Sequence, residues 1–494
     1  MHDQGLDRRE LLTALAAGAA LALVGRENAL DGASRRLSTP AVRRLDGAVR
    51  GSVAIPGRQG YAAARRVYQL AGPLPRPLAV VRVRDSADAQ ALVRWAARED
   101  VAVVARSGGH SYIRQSGGTG AVVADLSRLR AVRLDRGAGE AEVGGGAQLI
   151  DLARTLSARG ALVPTGSCPS VGIGGVTLGG GMGLSGRALG LTCDRLVAAT
   201  IVTADGRQRR VDARSEPSLF WALRGGGGSF GIVTSLRFAV HRASRGGYAS
   251  MSFPWSRAGD VLAAWQRLAR DAPPALTPIL TLAAGPRVTV IAQHLGAEAQ
   301  PRRLLAPLAA IDGARLSTGS ADLLGLARRW AGCLELAHSA CHTEGTRPGG
   351  TLDRAAFAAS SIYLRRALDA EGRRALLRRI ETGGGTVIID AYGGRIGAVD
   401  ADATAFVHRD VLASAQILSY HAPGASAGPR AWVAGTRGVL AAHGAGGAYA
   451  NYADSALRDF ERAYWGANRT RLREIKRRVD PDGRFQFAQA VGTG

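Results

Sequence analysis

Two glycine-rich stretches each carry one nucleophilic side chain, and they restrict this chain more than anything else in it. The first is Arg106-Ser107-Gly108-Gly109-His110-Ser111-Tyr112. The second runs Gly166-Ser167-Cys168-Pro169-Ser170-Val171-Gly172-Ile173-Gly174-Gly175 and on to Gly179-Gly180-Gly181-Met182-Gly183. Each follows an apolar, strand-like run, Val101–Ala105 and Ala161–Pro164. Glycine lets a backbone approach a ligand closely and aim its N–H groups at an anion such as a pyrophosphate. A histidine and a cysteine in two such loops could reach one bound ring and bond to it. Other nucleotide folds fit less well. A Rossmann unit needs strand, G-x-G-x-x-G, helix and an acidic residue about 20 positions on, and neither Gly179–Gly183 nor Gly225–Gly228 has that context. No Gly-Lys-Ser/Thr occurs, which excludes a P-loop.

Further segments follow in a consistent order: Val123–Ser127, Gly190–Asp194, Leu219–Thr234, Thr404–Arg409, Tyr449-Ala450-Asn451-Tyr452, Tyr464–Asn468 and Val479–Phe485. With the two loops, and over 73–491, the sequence resembles the berberine bridge enzyme-like flavoproteins, a branch of the vanillyl alcohol oxidase/para-cresol methylhydroxylase superfamily. It departs from the family at Ser229 (usually Asn), Ser218 (usually Asp) and Ile113-Arg114, where a small residue is usual. The resemblance implies an α+β fold. A two-part FAD-binding domain of the PCMH type, 73–242 with a returning segment 446–494, is interrupted by a substrate domain at 243–445 with an antiparallel sheet and flanking helices. It also implies a bicovalent FAD, bonded through His110 and Cys168. Arg106, Ser107, Gly108, Gly109, Ser111, Gly172, Gly174 and Gly175 would surround its pyrophosphate, and Gly231, Ile232 and Val233 its adenine end.

Such an enzyme removes a hydride from a C–H bond beside oxygen while a base takes the hydroxyl proton. The resemblance puts Tyr452 beside the substrate face of the flavin, with Tyr449 as the alternate. A tyrosine, ordinarily near pKa 10, acts as a base only when a positive charge draws it down; Arg395 or Arg409 could supply it. Tyr363 and Tyr392 read as pocket walls, and His408 as structural. Val171 would look over the flavin carbon where oxygen attacks. The expectation is a secreted oxidase of a sugar or secondary-metabolite hydroxyl that makes hydrogen peroxide. The alternatives are a dehydrogenase with another acceptor and a non-catalytic flavin or saccharide binder.

Charge bears on partners. The 64 Lys+Arg against 40 Asp+Glu leave +24, yet the arginines are spread along the chain, not clustered among aromatics, so nucleic-acid binding is not expected. Asp7-Arg8-Arg9-Glu10 leads into the apolar stretch Leu11–Val24, too short to span a bilayer. That start resembles a twin-arginine export signal, so 1–44 reads as signal and linker, with no stable membrane insertion. Cys193 reads as a small buried hydrophobe. Cys333 and Cys341 suggest a disulfide in an exported protein; a zinc site adding His338 and His342 fits no standard four-ligand spacing, and no metal is expected.

Local pattern predicts strands at Ala79–Arg84, Val101–Ala105, Leu196–Thr203, Val288–His294 and Thr386–Tyr392. It predicts helices at Ser86–Ala97, Gln148–Ser157, Ala258–Arg270 and Asp369–Thr382, and one long helical run over Ser455–Lys476.

Overall fold

The computed structural model describes residues 36–285, 287–296 and 300–493. The chain first builds a small lobe. Helix α1 (Thr39–Ala48) starts at Ser38, whose hydroxyl accepts from the Ala41 N–H at 3.2 Å. Strands β1 (Ser52–Ala54) and β2 (Ala79–Arg82), helix α2 (Ser86–Arg98), and strands β3 (Val103–Arg106) and β4 (Val122–Asp125) complete it. The sheet order is β1-β2-β4-β3, antiparallel at β1/β2 and parallel elsewhere. Asp85 caps α2, and the helix turns Ala89, Leu92, Val93, Trp95 and Ala96 onto the sheet. Burying side chains of this size stabilises by about 1.5–3 kcal/mol each.

A second lobe is a five-stranded antiparallel sheet. Its strands are β5 (Val132–Asp135), β6 (Glu140–Gly144), β7 (Leu196–Val202), β8 (Gln208–Asp212) and β9 (Ile232–Ala239), in the order β5-β6-β9-β7-β8. Helix α3 (Leu149–Ser157) packs on it through Leu149, Leu152 and Leu156. The seam between the lobes is shared, since Ile232 of β9 and the C-terminal Phe485 lie in the first lobe's core.

The third unit is a seven-stranded antiparallel sheet. It contains β10 (Arg245–Pro254), β11 (Leu276–Ala283), β12 (Arg287–His294), β13 (Arg315–Asp322), β14 (Phe357–Leu364), β15 (Thr386–Ala391) and β16 (Ala413–Tyr420), ordered β13-β10-β12-β11-β15-β16-β14. Helices α4 (Ala258–Asp271), α5 (Leu323–Trp330), α6 (Ala370–Glu381) and α7 (Ala427–Ala442) accompany it. Alternate strand residues such as Leu280, Val290, Val387, Ile389, Ala415 and Ile417 enter one apolar core together with residues of α4, α6 and α7. Period two then leaves Thr277, Asp390, Ser414, Gln416 and Ser361 on the opposite face, and all of these are buried as well. Among the described residues no helix is long and apolar enough to cross a membrane.

The chain then returns to the second lobe through α8 (Phe460–Trp465) and α9 (Arg469–Val479), burying Tyr464, Trp465, Leu472 and Ile475 there. Two expectations change. The helical run over Ser455–Lys476 is broken: Gly466 adopts φ 49°, and the break is held by Trp465 Nε1 on Gly225 O (3.1 Å) and Asn468 Nδ2 on Ala401 O (2.8 Å). The expected signal and linker at 1–44 lies mostly outside the described residues, but its end is not a linker. Residues 39–44 belong to α1, which buries Ala41, Val42 and Leu45 and takes a 3.0 Å hydrogen bond from Trp95 Nε1 to Ala41 O. Cys193 is buried, and Cys333 and Cys341 form a disulfide.

The returning segment is fastened by Lys476, the lone lysine, whose side chain is fully buried. Its ammonium pairs with Asp480 and donates to Ser229 O (2.8 Å) and Phe485 O (2.9 Å). Asp480 also accepts from the N–H groups of Arg484 (2.6 Å) and Phe485 (2.9 Å). Lys476→Met strands a buried carboxylate, which costs about 3–5 kcal/mol. We expect a clearly lowered thermal midpoint, and the double variant Lys476→Met/Asp480→Asn to recover part of it.

Candidate active site

The first loop leaves β3 at Arg106, which lies beneath it. The buried guanidinium donates to Asp125 Oδ2 (2.8 Å) and to Ala64 O (2.7 Å). It braces the loop through Nη2, while its Nη1 is buried without a partner among the described residues. The next five N–H groups, Ser107 through Ser111, receive no hydrogen bond acceptor from any described residue. Such a row of free donors suits an anion. Ser107 Oγ donates to Gly145 O at 2.5 Å, and Ser111 Oγ accepts from Gln115 N at 3.1 Å, so both hydroxyls shape the loop itself.

The second loop lies directly against the first. A Cβ on Gly108 would stand 2.3 Å from Gly172 N, and one on Gly172 would stand 2.0 Å from Ser107 Oγ. Gly172 precedes the short helix Ile173–Leu178, whose first N–H groups have no partner inside the helix. Gly174 packs on Gly145 O, whereas a side chain at Gly175 would meet open space. Gly231–Val233 begins β9 at the seam, with Gly231 against Val202 O.

His110 is sandwiched. Tyr68 stacks on its ring at 4.1 Å, and Nε2 bonds Ser170 Oγ at 2.9 Å, which leaves Nδ1 as the ring nitrogen available for a bond. Burial, with Arg354 adding to it, lowers its pKa to about 3, so the imidazole is neutral. Cys168 is reached by solvent yet recessed: burial pushes its thiol up to about 11. Its charge would be felt by Tyr68, Tyr112 and Tyr420. Val171 O accepts from Leu149 N at 3.0 Å, which ties this loop to α3.

Tyr452 and Tyr449, the two tyrosines of one four-residue motif, have separate contacts. The Tyr449 hydroxyl meets Gly181 N (2.8 Å), Met182 N (3.1 Å) and Asn451 Nδ2 (2.9 Å). These contacts tie Tyr449 to the Gly179–Gly183 turn; burial pushes its hydroxyl up to about 12, with the three donors pulling the other way. Tyr452 stacks on Tyr112 (5.5 Å, 17°) and meets Tyr449 edge-on at 4.9 Å. Gln416 Nε2 in turn donates to the Tyr112 hydroxyl. Arg409, expected near Tyr452, is bidentate on Asp194 (2.7 and 2.8 Å). Burial first, then Asp390, Tyr112, Tyr449 and Tyr392, hold the Tyr452 pKa well above the ordinary value.

Asp390 is the residue that sequence reasoning missed. It sits on the polar face of β15, paired in register with Ile279 on one side and Ser414 on the other. No described residue donates a hydrogen bond to its carboxylate, whose Oδ2 is fully buried, and burial raises its pKa to about 7. The signal was present in Thr386-Val387-Ile388-Ile389-Asp390-Ala391-Tyr392: a lone acid in an apolar strand, on the same face as a tyrosine. Tyr392 and Tyr363 are buried and meet edge-on at 5.5 Å behind this face. Tyr68, Tyr112, Phe357 and Tyr420 also escaped the sequence reading. Phe357 bridges Tyr112 (4.9 Å) and Tyr420 (5.6 Å), and Tyr420 is 62% exposed.

Comparison with known proteins agrees with this arrangement. Residues 77–212 match an FAD-binding domain family, and 448–492 match the family described as berberine and berberine-like. The chain is 30% identical over 426 residues to the uncharacterised FAD-linked oxidoreductase YgaK of Bacillus subtilis (strain 168), covering 84% of this chain and 91% of that one. It is 30% identical over 443 residues to the xylooligosaccharide oxidase of Thermothelomyces thermophilus, covering 84% and 87%. Among solved structures, Physcomitrella patens BBE-like 1 superposes with TM-score 0.85 at 26% identity over 92% of this chain and 99% of that one. Glucooligosaccharide oxidase of Acremonium strictum, whose FAD is 6-S-cysteinyl, 8α-N1-histidyl, superposes with TM-score 0.83 at 25% identity over 91% and 98%. The residues present fit FAD: free loop donors, a glycine cradle, and one neutral histidine and one recessed cysteine beside it.

Asp390 carries a cost that depends on pH. Its folded pKa of about 7 exceeds the unfolded value near 3.9, so its contribution is fully favourable below about pH 4 and is lost as pH rises through 7. Asp390→Asn removes a buried charge. We expect the variant to melt a few degrees above wild type at pH 8, with the gap closing toward pH 4, by thermal unfolding across that range.

Proposed function

This chain belongs to the berberine bridge enzyme-like FAD-linked oxidoreductases, and on that premise we propose that it is an exported oxidase that takes a hydride from an alcohol carbon of a saccharide and passes the electrons to oxygen, giving hydrogen peroxide. The observation that carries the reading is the buried Asp390 carboxylate within electrostatic reach of Tyr452, beside the loops of His110 and Cys168. FAD, when bound, supplies the hydride acceptor. The proton is the protein's task. Tyr452 receives it from the substrate hydroxyl and passes its own to Asp390, whose raised proton affinity suits an acceptor near neutral pH. This replaces the arginine-assisted tyrosine anticipated from sequence.

A saccharide is supported by the names of the relatives and by the aromatic side chains about the site. Tyr112 keeps Tyr452 in place, while the exposed Tyr420, backed by the buried Phe357, offers a flat face to the apolar side of a sugar ring. Export is supported by Arg8-Arg9 before an apolar stretch and by the Cys333–Cys341 disulfide, which persists in oxidising compartments.

Bicovalent attachment is supported by the neutral His110, whose Nδ1 is available, and by Cys168 in the adjoining loop. Acid-precipitated protein should stay yellow, and mass spectrometry should find flavin on both the His110 and the Cys168 peptides. His110→Ala should keep its flavin through Cys168 with lower activity. Release of all flavin into the acid supernatant would sink the attachment.

Val171 is proposed to leave oxygen room at the flavin, since interiors are packed so closely that one added methylene fills a small void. Purified enzyme screened against oligosaccharides should release peroxide, and Tyr452→Phe should lower turnover roughly 10²–10⁴-fold. Val171→Leu should slow reoxidation in air-saturated buffer, followed by stopped flow. Slow reoxidation of wild type, unchanged in Val171→Leu, would favour a dehydrogenase with another acceptor.

A further inference from the structure

Where α3 meets the disulfide loop, three metal-binding side chains converge without any part in the chemistry above. Asp151 Oδ1 lies 2.9 Å from His338 Nε2 and 3.2 Å from His342 Nε2, and the three donor atoms lie within 4.8 Å of one another. The histidines sit at either end of the turn His338–Cys341, which the Cys333–Cys341 disulfide closes. The bridge removes both sulfurs as ligands, so the Cys/His set weighed from sequence gives way to one of two imidazoles and a carboxylate.

The decisive atom is His342 Nδ1. It lies 3.0 Å from Ser339 O, and a carbonyl only accepts, so Nδ1 carries the proton. That bond turns Nε2 toward a carboxylate oxygen 3.2 Å away. A histidine that donates its other N–H to a backbone carbonyl is the usual arrangement of a metal ligand. The spacing fits as well. Bonds near 2.0–2.1 Å in a tetrahedral site put neighbouring ligand atoms roughly 3.3 Å apart. His342 is buried, while the side chains of His338 and Asp151 are 20% and 21% exposed, which leaves one side open for a water. Arg347 Nη2 approaches only the other oxygen, Oδ2, at 3.8 Å.

We propose that Asp151, His338 and His342 bind one zinc-class divalent cation, with a water as fourth ligand, and that this ion staples the disulfide loop of the sheet domain to α3. Two imidazoles with a carboxylate are a ligand set such ions accept. The site also reaches the loops of the active site. Thr343, next to His342, bonds Ser170 Oγ through its hydroxyl at 2.7 Å, and Ser170 Oγ bonds His110 Nε2 at 2.9 Å. Leu149 and Ile150, just before Asp151, donate to Val171 O and Pro169 O, both at 3.0 Å. The staple thus braces the strip of chain that carries Cys168 and the partner of His110. The three residues are positioning residues, remote from the reacting atoms.

The test uses full-length holoenzyme freed of any affinity tag, stripped with chelator and titrated with zinc chloride alone. Calorimetry should give one equivalent bound, elemental analysis after gel filtration should find it retained, and the thermal midpoint should rise with zinc concentration by mass action. Asp151→Asn and His342→Gln should each weaken binding at least tenfold and remove the thermal response, while flavin content is still read at 450 nm or thereabouts. Should His342→Gln fail to fold, Asp151→Asn and the zinc response of wild type decide the matter. Absence of retained zinc with an unmoved midpoint in wild type, or equal retention in Asp151→Asn, would overturn the site and leave a hydrogen-bonded ion pair.

Discussion

The contact on which this structure depends is the passage of one glycine loop against another, backbone nitrogen to glycine carbon, with the Ser107 hydroxyl packed beside it. Gly108 and Gly172 approach so closely that a Cβ on either would lie 2.3 Å from the other's backbone nitrogen. The same device continues along the seam of the two lobes. A Cβ on Gly145 would meet Val233 O at 2.3 Å, and one on Gly146 would meet Leu126 O at 1.8 Å. An added methyl at such a position cannot be absorbed by a side-chain rotation, because the opposing atoms are backbone. The loops bearing His110 and Cys168 are therefore registered to each other by main chain, which is stiffer than any side-chain contact. Their free N–H groups come as a consequence, since a backbone engaged in close packing on one side leaves its donors on the other.

The spacing between those loops and the polar face of the large sheet is set by two buried guanidinium groups. Arg187, from the second lobe, donates to Leu276 O (2.8 Å), Ala269 O (2.9 Å), Ala272 O (2.6 Å) and Tyr392 O. It ends four carbonyls of the sheet domain at once, and one belongs to the residue two places beyond Asp390. Arg409 works in the opposite sense, reaching from the sheet domain to Asp194 of the second lobe. A planar fork with five donors can satisfy several acceptors in fixed directions, which a lysine cannot. Part of the chain's arginine excess is thus spent on internal joints, and the positive balance of the whole is a poor guide to a partner.

Much of the fold was legible because its signals are local. Ser86–Arg98 showed its cap at Asp85 and its apolar stripe, and the two loops showed their glycines and their single nucleophiles. What failed needed the third dimension. Arg106 and Tyr449 sit inside motifs, yet sequence does not say whether a side chain points at a ligand or under the loop that holds it; here each bonds protein atoms that shape the loops. The break at Gly466 was hidden because glycine interrupts a helical pattern without always ending it. Tyr68, Tyr112, Phe357 and Tyr420 come from four distant segments, and the sheet's pairing of Phe357 with Tyr420 and the ring contact of Tyr112 with Phe357 form only in the fold. Asp390 alone left a trace, a charge where the strand pattern calls for an apolar residue.

Burial acts in opposite directions on the two nucleophiles of the site. It disfavours charge in both. For His110 that means a neutral imidazole, already the reactive form, with Ser170 holding the ring by Nε2. For Cys168 it means a protonated thiol, and the thiolate is what attacks. The proposed attachments therefore make unequal demands. His110 requires only a ring brought within reach. Cys168 requires in addition the removal of a proton in a recessed place, against a desolvation that the tyrosines around it do nothing to relieve. The same environment keeps a solvent-reached cysteine in its less oxidisable form, which suits a side chain that must survive until a ring stands beside it.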